Sequence, residues 1–134
     1  MSIETVQADW LVDQEFLLKD TFGSPILMAQ PQGVRGADLL PLSLIGCAGW
    51  EVADILRKQR QPVHSLRVFA DSQREDAPPW RFTRIHIRYQ IGGQGLNPEK
   101  VQRAIELTEA KYCSIYATLR ACLEITSDFQ IVEE

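Results

Sequence analysis

Between Asp38 and Arg60 the chain carries more apolar surface than one small monomer can cover. Leu39, Leu40, Leu42, Leu44, Ile45, Ala48, Trp50, Val52, Ile55 and Leu56 follow a helical pattern. They encircle the first half of the segment and narrow to a stripe only in the second. A helix apolar on nearly every side belongs in the centre of a fold or in a subunit interface. The chain has 134 residues, 45% of them hydrophobic, which suffices for one ordinary domain with a real core. The pattern therefore predicts one domain, residues 1–134, that associates as a homodimer through this helix. Pro41 falls in the first turn, where its missing N–H leaves no partner wanting. The helix should stop before Pro62.

The flanking segments read as strands. Thr5–Val12, Phe16–Lys19 and Pro25–Met28 are rich in β-branched and aromatic residues, with a turn signal at Phe22-Gly23-Ser24. Residues 30–36 form a loop by their Pro and Gly content. Beyond the helix, Ser65–Asp71 is one strand and Trp80–Ile91 another, joined through the polar stretch Ser72–Pro79. In the second, Ile85, Ile87, Tyr89 and Ile91 alternate with Arg84, His86, Arg88 and Gln90. That period of two predicts one buried face and one wet face. Gly92-Gly93-Gln94-Gly95 breaks the strand. Asn97-Pro98-Glu99 then opens a helix with an N-cap residue and Pro at the first helical position. A second short helix is expected over Tyr112–Cys122, and a last strand through Phe129, Ile131 and Val132. The order is β, helix, β, helices, which gives an α+β fold class.

Several functions are excluded by composition. A net charge of −4 argues against nucleic acid, whose phosphates call for clustered Lys and Arg. No unbroken run of about 18 apolar residues is present, so no membrane span is expected. The N-terminus lacks a basic segment followed by an apolar stretch, which argues against a signal peptide and for a cytoplasmic protein. Three cysteines, an odd number, do not suggest a structural disulfide framework in a reducing compartment. They are buried thiols or working ones.

Two of the three carry the strongest chemical signal. Cys47 lies in Gly46-Cys47-Ala48-Gly49-Trp50, where each glycine costs up to about 1 kcal/mol in a helix relative to Ala. Such glycines often admit a neighbouring backbone or a substrate. Asp38 stands nine residues earlier, and Glu51 one turn later on the same face. Cys47 is equally readable as a small buried hydrophobe. Cys113 is expected at the start of its helix just after Lys111, where the helix dipole and an ammonium would both favour the thiolate. The competing reading is a buried helix-start residue. Cys122, near the far end of that helix, reads as core packing. His86, between arginines on a wet strand face, reads as solvated, and His64 has no companion at metal-ligand spacing. The glycine run at residues 92–95 matches no phosphate-binding loop. No metal and no cofactor are expected.

Three stretches together resemble the osmotically inducible protein C (OsmC) family, which includes the organic hydroperoxide resistance proteins. They are Gly36-Ala37-Asp38-Leu39-Leu40-Pro41-Leu42-Ser43-Leu44-Ile45-Gly46-Cys47, the strand from Phe82 to Gly93, and Arg103-Ala104-Ile105-Glu106-Leu107 leading to Lys111-Tyr112-Cys113-Ser114. The likeness covers nearly the whole chain. It implies intertwined homodimers in which β-sheets of both chains wrap two long central helices. It also implies a thiol peroxidase. Cys47 would attack the O–O bond of an organic or small hydroperoxide and become a sulfenic acid, Cys113 would condense with it to a disulfide, and a dithiol would reduce both.

The pattern departs from the family at one point. Peroxide-reducing members pair an arginine of the N-terminal region with a Glu at the start of the central helix. Residues 1–34 contain no arginine, and the acidic position is Asp38. Arg35, in the loop just before Asp38, is the substitute, since a guanidinium can grip both a carboxylate and a thiolate. The candidate catalytic residues are thus Cys47, Cys113, Asp38 and Arg35. The alternative function is a redox sensor or a small-ligand binder on the same fold.

Overall fold

The computed structural model describes residues 1–134 as two compact units, Met1–Leu40 and Pro41–Glu134. The first is a three-stranded antiparallel sheet of β1 (Gln7–Val12), β2 (Glu15–Lys19) and β3 (Pro25–Met28), in that order. A two-residue turn joins β1 to β2, with Asp13 in the left-handed region at φ 49° and Val12 opposite Glu15. The β2–β3 turn is made by Asp20, whose Oδ1 accepts from the N–H groups of Phe22 (2.9 Å) and Ser24 (2.8 Å). An aspartate closing its own turn in this way explains why the turn signal was legible. After β3 the chain folds back, and the Val34 N–H donates to the Leu27 carbonyl at 2.9 Å.

The second unit holds the sheet β4 (Ser65–Arg74), β5 (Phe82–Gly92) and β6 (Glu124–Val132), with β5 in the middle. β4 runs antiparallel and β6 parallel to β5. A parallel neighbour requires a crossover of a dozen residues or more. It is supplied by α2 (Pro98–Leu107), a π-turn (Thr108–Tyr112) and α3 (Ser114–Leu119). The long strand predicted from Trp80 to Ile91 runs from Phe82 to Gly92, Trp80 falling in the preceding turn at φ 54°, and its alternation is as expected: Ile85, Ile87 and Ile91 are 0% and Tyr89 1% exposed. The wet face is an ion-pair ladder. Arg88 binds Asp71 through two hydrogen bonds (2.7 and 3.1 Å) and lies 4.6 Å from the Phe69 ring. That guanidinium holds the Asp71 carboxyl below the usual carboxylate range.

The predicted central helix is α1 (Leu39–Lys58), preceded by a 3₁₀ turn at Gly36–Asp38. Leu44, Ala48, Val52 and Leu56 form its fully buried stripe, a spacing of four that is one helix face. Burying each Leu or Val contributes roughly 1.5–3 kcal/mol. Gly49 lets α1 approach β4, since a Cβ there would stand 3.2 Å from Val68 Cγ2. Gly46 faces open space instead, so its lack of a side chain admits nothing within this chain. Leu42 and Trp50 remain 48% and 78% exposed, the part of the circumference that one chain leaves bare. The helix ends in a Schellman motif: Arg60 adopts φ 58°, and the N–H groups of Gln61 and Arg60 bond the carbonyls of Leu56 and Arg57 at 3.0 Å each.

By length and composition alone, the stretch Gly36–Lys58, whose most apolar 18-residue window has a mean hydropathy of 1.5, is long and apolar enough to cross a membrane. Pro41, Ser43, Gly46 and Gly49 interrupt the apolar run, but no charged residue falls between Asp38 and Glu51, so the average stays high. The buried stripe described above is what a core helix shows as well.

α2 matches its prediction closely. Asn97 caps it, its side chain accepting from the N–H groups of Glu99 and Lys100, with Pro98 at the first position. Val101, Ala104 and Ile105 are buried. The second short helix is shorter than Tyr112–Cys122, because the π-turn takes up residues to Tyr112 and the helix frays into a turn after Leu119.

Candidate active site

Cys47 sits mid-α1, half-buried, one residue before the fully buried Ala48. Cys113 ends the π-turn and caps α3. Its N–H donates to the Thr108 carbonyl (2.9 Å), and its carbonyl accepts from Ala117 N–H (3.0 Å). Its Sγ accepts from the Tyr116 N–H at 3.4 Å. The sulfur thus does what a Ser or Asp oxygen does at an ordinary N-cap. The wide turn before it is a form that recurs at functional sites. Cys113 is 2% exposed, and the Cys47 thiol is near enough to act on it electrostatically. Both are reduced.

Two expectations about these thiols are corrected. Burial pushes the Cys113 thiol up to about 11, and the Cys47 thiol adds to the rise; the backbone N–H groups of Tyr116 and Ile115 oppose it without prevailing. The predicted help from a helix dipole and Lys111 fails because α3 has six residues and Lys111 points into solvent. Desolvation wins over a single short turn. Cys122 is exposed, not core, because the helix has already ended and the residue lies in a turn, its N–H on the Leu119 carbonyl at 2.9 Å.

The structure brings Arg35 and Asp38 together as well. Nη2 and Nε of Arg35 donate to Asp38 Oδ1 at 2.8 and 3.2 Å, with both side chains about half exposed. They belong to the first unit, Cys47 and Cys113 to the second.

Next to Cys113 stands a polar cluster that the sequence reading did not single out. Glu109, in the π-turn, accepts on Oε2 from the Tyr89 hydroxyl and on Oε1 from the Ser127 hydroxyl, each at 3.1 Å. Burial pushes the Glu109 carboxyl above the ordinary carboxylate range, against the pull of those two donors. Burial and the Glu109 charge push both Tyr89 and Tyr116 upward, and Cys113 adds to each. A signal for this cluster existed. Tyr89 falls on the apolar face of β5, and a buried phenol needs a partner. Glu109 is four residues after Ile105, on the buried side of α2 extended by one turn.

His86 stays on the wet face, partly exposed, with both ring nitrogens engaged: Nδ1 meets Thr126 Oγ1 at 2.6 Å and Nε2 meets Asp128 Oδ2 at 3.0 Å, both across the β5–β6 ladder. His64 is exposed, and its N–H bonds the Gly92 carbonyl at 2.7 Å. No group of three His, Cys, Asp or Glu side chains is placed to hold a metal ion.

The family described as OsmC-like protein matches residues 29–128. Protein YhfA of Escherichia coli (strain K12) is 31% identical over 126 residues, covering 92% of this chain and 94% of that protein. A hypothetical protein from Aquifex aeolicus VF5 superposes with a TM-score of 0.89 at 26% identity, over 100% of this chain and 99% of its own. An organic hydroperoxide resistance protein OsmC from Legionella pneumophila shares the fold at a TM-score of 0.69 and 12% identity, over 97% and 99% of the two chains. The match over residues 29–128 takes in α1 with Cys47, the alternating strand β5 and the turn that holds Cys113, and the chain belongs to the OsmC-like protein family.

Proposed function

We propose that this chain is a thiol-dependent peroxidase that reduces organic or small hydroperoxides through Cys47 and Cys113. The observation that carries the reading is that the Cys47 thiol of α1 lies near enough to the Cys113 thiol to push it up, although the two are far apart in sequence. Cys47 attacks the O–O bond as a thiolate, releases the alcohol and becomes a sulfenic acid. Cys113 then condenses with it, forming the disulfide and expelling water. A dithiol reduces the bridge by exchange. The buried Cys113, raised to about 11, stays a thiol at neutral pH and suits the second role, which leaves the half-buried Cys47 the first. The relatedness to a hydroperoxide resistance protein in fold supports the same reading. Arg35 and Asp38, ion-paired, serve as the family's arginine–carboxylate pair. The working unit is a homodimer that covers Leu42 and Trp50 of α1.

A sensor or small-ligand binder is the second reading, favoured by the absence of arginine from residues 1–34. Hydroperoxide consumption with a dithiol separates the two. Cys47→Ser abolishes turnover, Cys113→Ser permits one oxidation and traps a sulfenic acid, and peptide mapping after mild peroxide recovers a Cys47–Cys113 bridge with Cys122 reduced. Full dithiol-dependent activity in Cys47→Ser would refute the peroxidase.

A further inference from the structure

The wet face of the β4–β5–β6 sheet carries a cavity that the thiol chemistry leaves unused. Its volume is about 340 Å³, and it is lined by Ser65 and Arg67 of β4, Gln90 of β5, Val132 at the end of β6, and Glu134 just beyond. The strand register explains its position. Arg67 stands opposite Gln90, while Ser65 and Val132 flank Gly92 from either side. Alternate residues of a strand share a face, so these side chains lie on the face that also carries Asp71 and Arg88. Gly92 is buried and has no side chain, which leaves a dent among them. A Cβ there would collide with the Glu134 carboxylate and the Ser65 hydroxyl.

Two opposite charges line this dent without meeting. Glu134 Oε1 accepts from the Ser65 hydroxyl at 2.5 Å, which holds the carboxylate at the Gly92 end. Arg84 and Arg88 of the same face are each paired, with Glu124 and Asp71. Arg67 has no ion pair, and neither its guanidinium nor the half-buried Gln90 amide has a hydrogen-bond partner. One wall therefore presents free N–H donors and the other a carboxylate, which only accepts. A simple anion would be repelled by Glu134, and a simple cation by Arg67. We propose that the dent binds a small zwitterion of the free amino acid class. Its carboxylate is taken by Arg67 and Gln90, its ammonium by Glu134, and its aliphatic side chain rests on Val132. Arg67 and Glu134 stand too far apart to pair directly, and such a ligand makes charge-assisted hydrogen bonds to both.

Binding here is independent of the Cys47–Cys113 cycle, so the test runs on the whole reduced protein without peroxide. L-Leucine is titrated in, and the backbone amide resonances of Ser65, Gln90 and Gly92 are followed by NMR. Saturable shifts confined to this end of the sheet are expected. Isocaproate lacks the ammonium and isopentylamine lacks the carboxylate, so each should bind at least about tenfold more weakly than leucine. Arg67→Met, at an exposed position, should cost about tenfold in leucine affinity. Glu134→Gln keeps an acceptor for Ser65 but removes the charge. It should weaken leucine by a similar factor and leave isocaproate no weaker. Gly92→Ala fills the dent and should abolish the shifts; if that variant does not fold, the two surface variants carry the test. The proposal is overturned if leucine gives no saturable shifts, if Arg67→Met binds it unchanged, or if isocaproate or isopentylamine binds as tightly.

Discussion

Alkylation should find the three cysteines in an order that their sequence surroundings do not suggest. The perturbation is a short pulse of iodoacetamide on the reduced protein, with each cysteine scored by peptide mass. Cys122 is exposed and Cys47 half-buried, so Cys122 should be modified first and Cys47 second. Cys113 should be last by a wide margin. Raising its thiol from 9.0 to about 11 leaves about 100-fold less thiolate at neutral pH, and only the thiolate reacts. The more basic thiolate is intrinsically more nucleophilic and returns part of that factor, but burial slows access further, so strong protection relative to the denatured chain is expected. A second variant separates charge from access. Cys47→Ala removes the thiol that helps push Cys113 up, so the midpoint of its alkylation profile should move to lower pH. Improved access alone would raise the rate without moving the midpoint. If Cys113 is alkylated as fast as Cys122 near neutral pH, the desolvation argument fails, and with it the assignment of Cys113 as the resolving thiol.

Two further outcomes follow from the same geometry. The exposed Leu42 and Trp50 of α1 should be covered by a second copy, so sedimentation equilibrium at micromolar protein should show only dimer, and a folded monomer there removes the homodimer. Stability should also carry a negative slope in pH from Glu109. Its folded carboxyl binds the proton more tightly than the unfolded one, ordinarily at 4.5. Its stabilising share is therefore complete below that value and lost as pH rises through the folded one. Urea titrations of Glu109→Gln should lack this slope, and an identical slope in the variant would show that Glu109 is not its source.

The fold was largely legible because its main elements are patterned on a single face each. β5 alternates without exception from Arg84 to Ile91, and its inward residues are the ones buried. α2 announced itself through Asn97 and Pro98, whose capping is local chemistry that needs no tertiary context. α1 was legible for the opposite reason, as an excess of apolar surface with a bare remainder at Leu42 and Trp50. The parallel pairing of β5 with β6 was not legible. It depends on where the crossover lands, and the alternating pattern of a strand is the same whichever way its neighbour runs.

The cysteines show how far local reasoning about a site extends. A thiol at a helix start reads as activated if only dipole and neighbouring charge are weighed. What decides Cys113 is its desolvation on burial, to which the Cys47 thiol of α1, remote in sequence, adds. Glu109 escaped notice for a related reason. A glutamate between two lysine- and arginine-bearing helical segments looks solvated, and the wider π-turn that rotates it inward appears only in the backbone. Once inward, it has to find donors, and Tyr89 and Ser127 supply them from two different strands. The polar cluster is therefore assembled by the crossover itself: the same chain path that makes β6 parallel to β5 brings Ser127 to one oxygen of Glu109 and leaves the other for Tyr89.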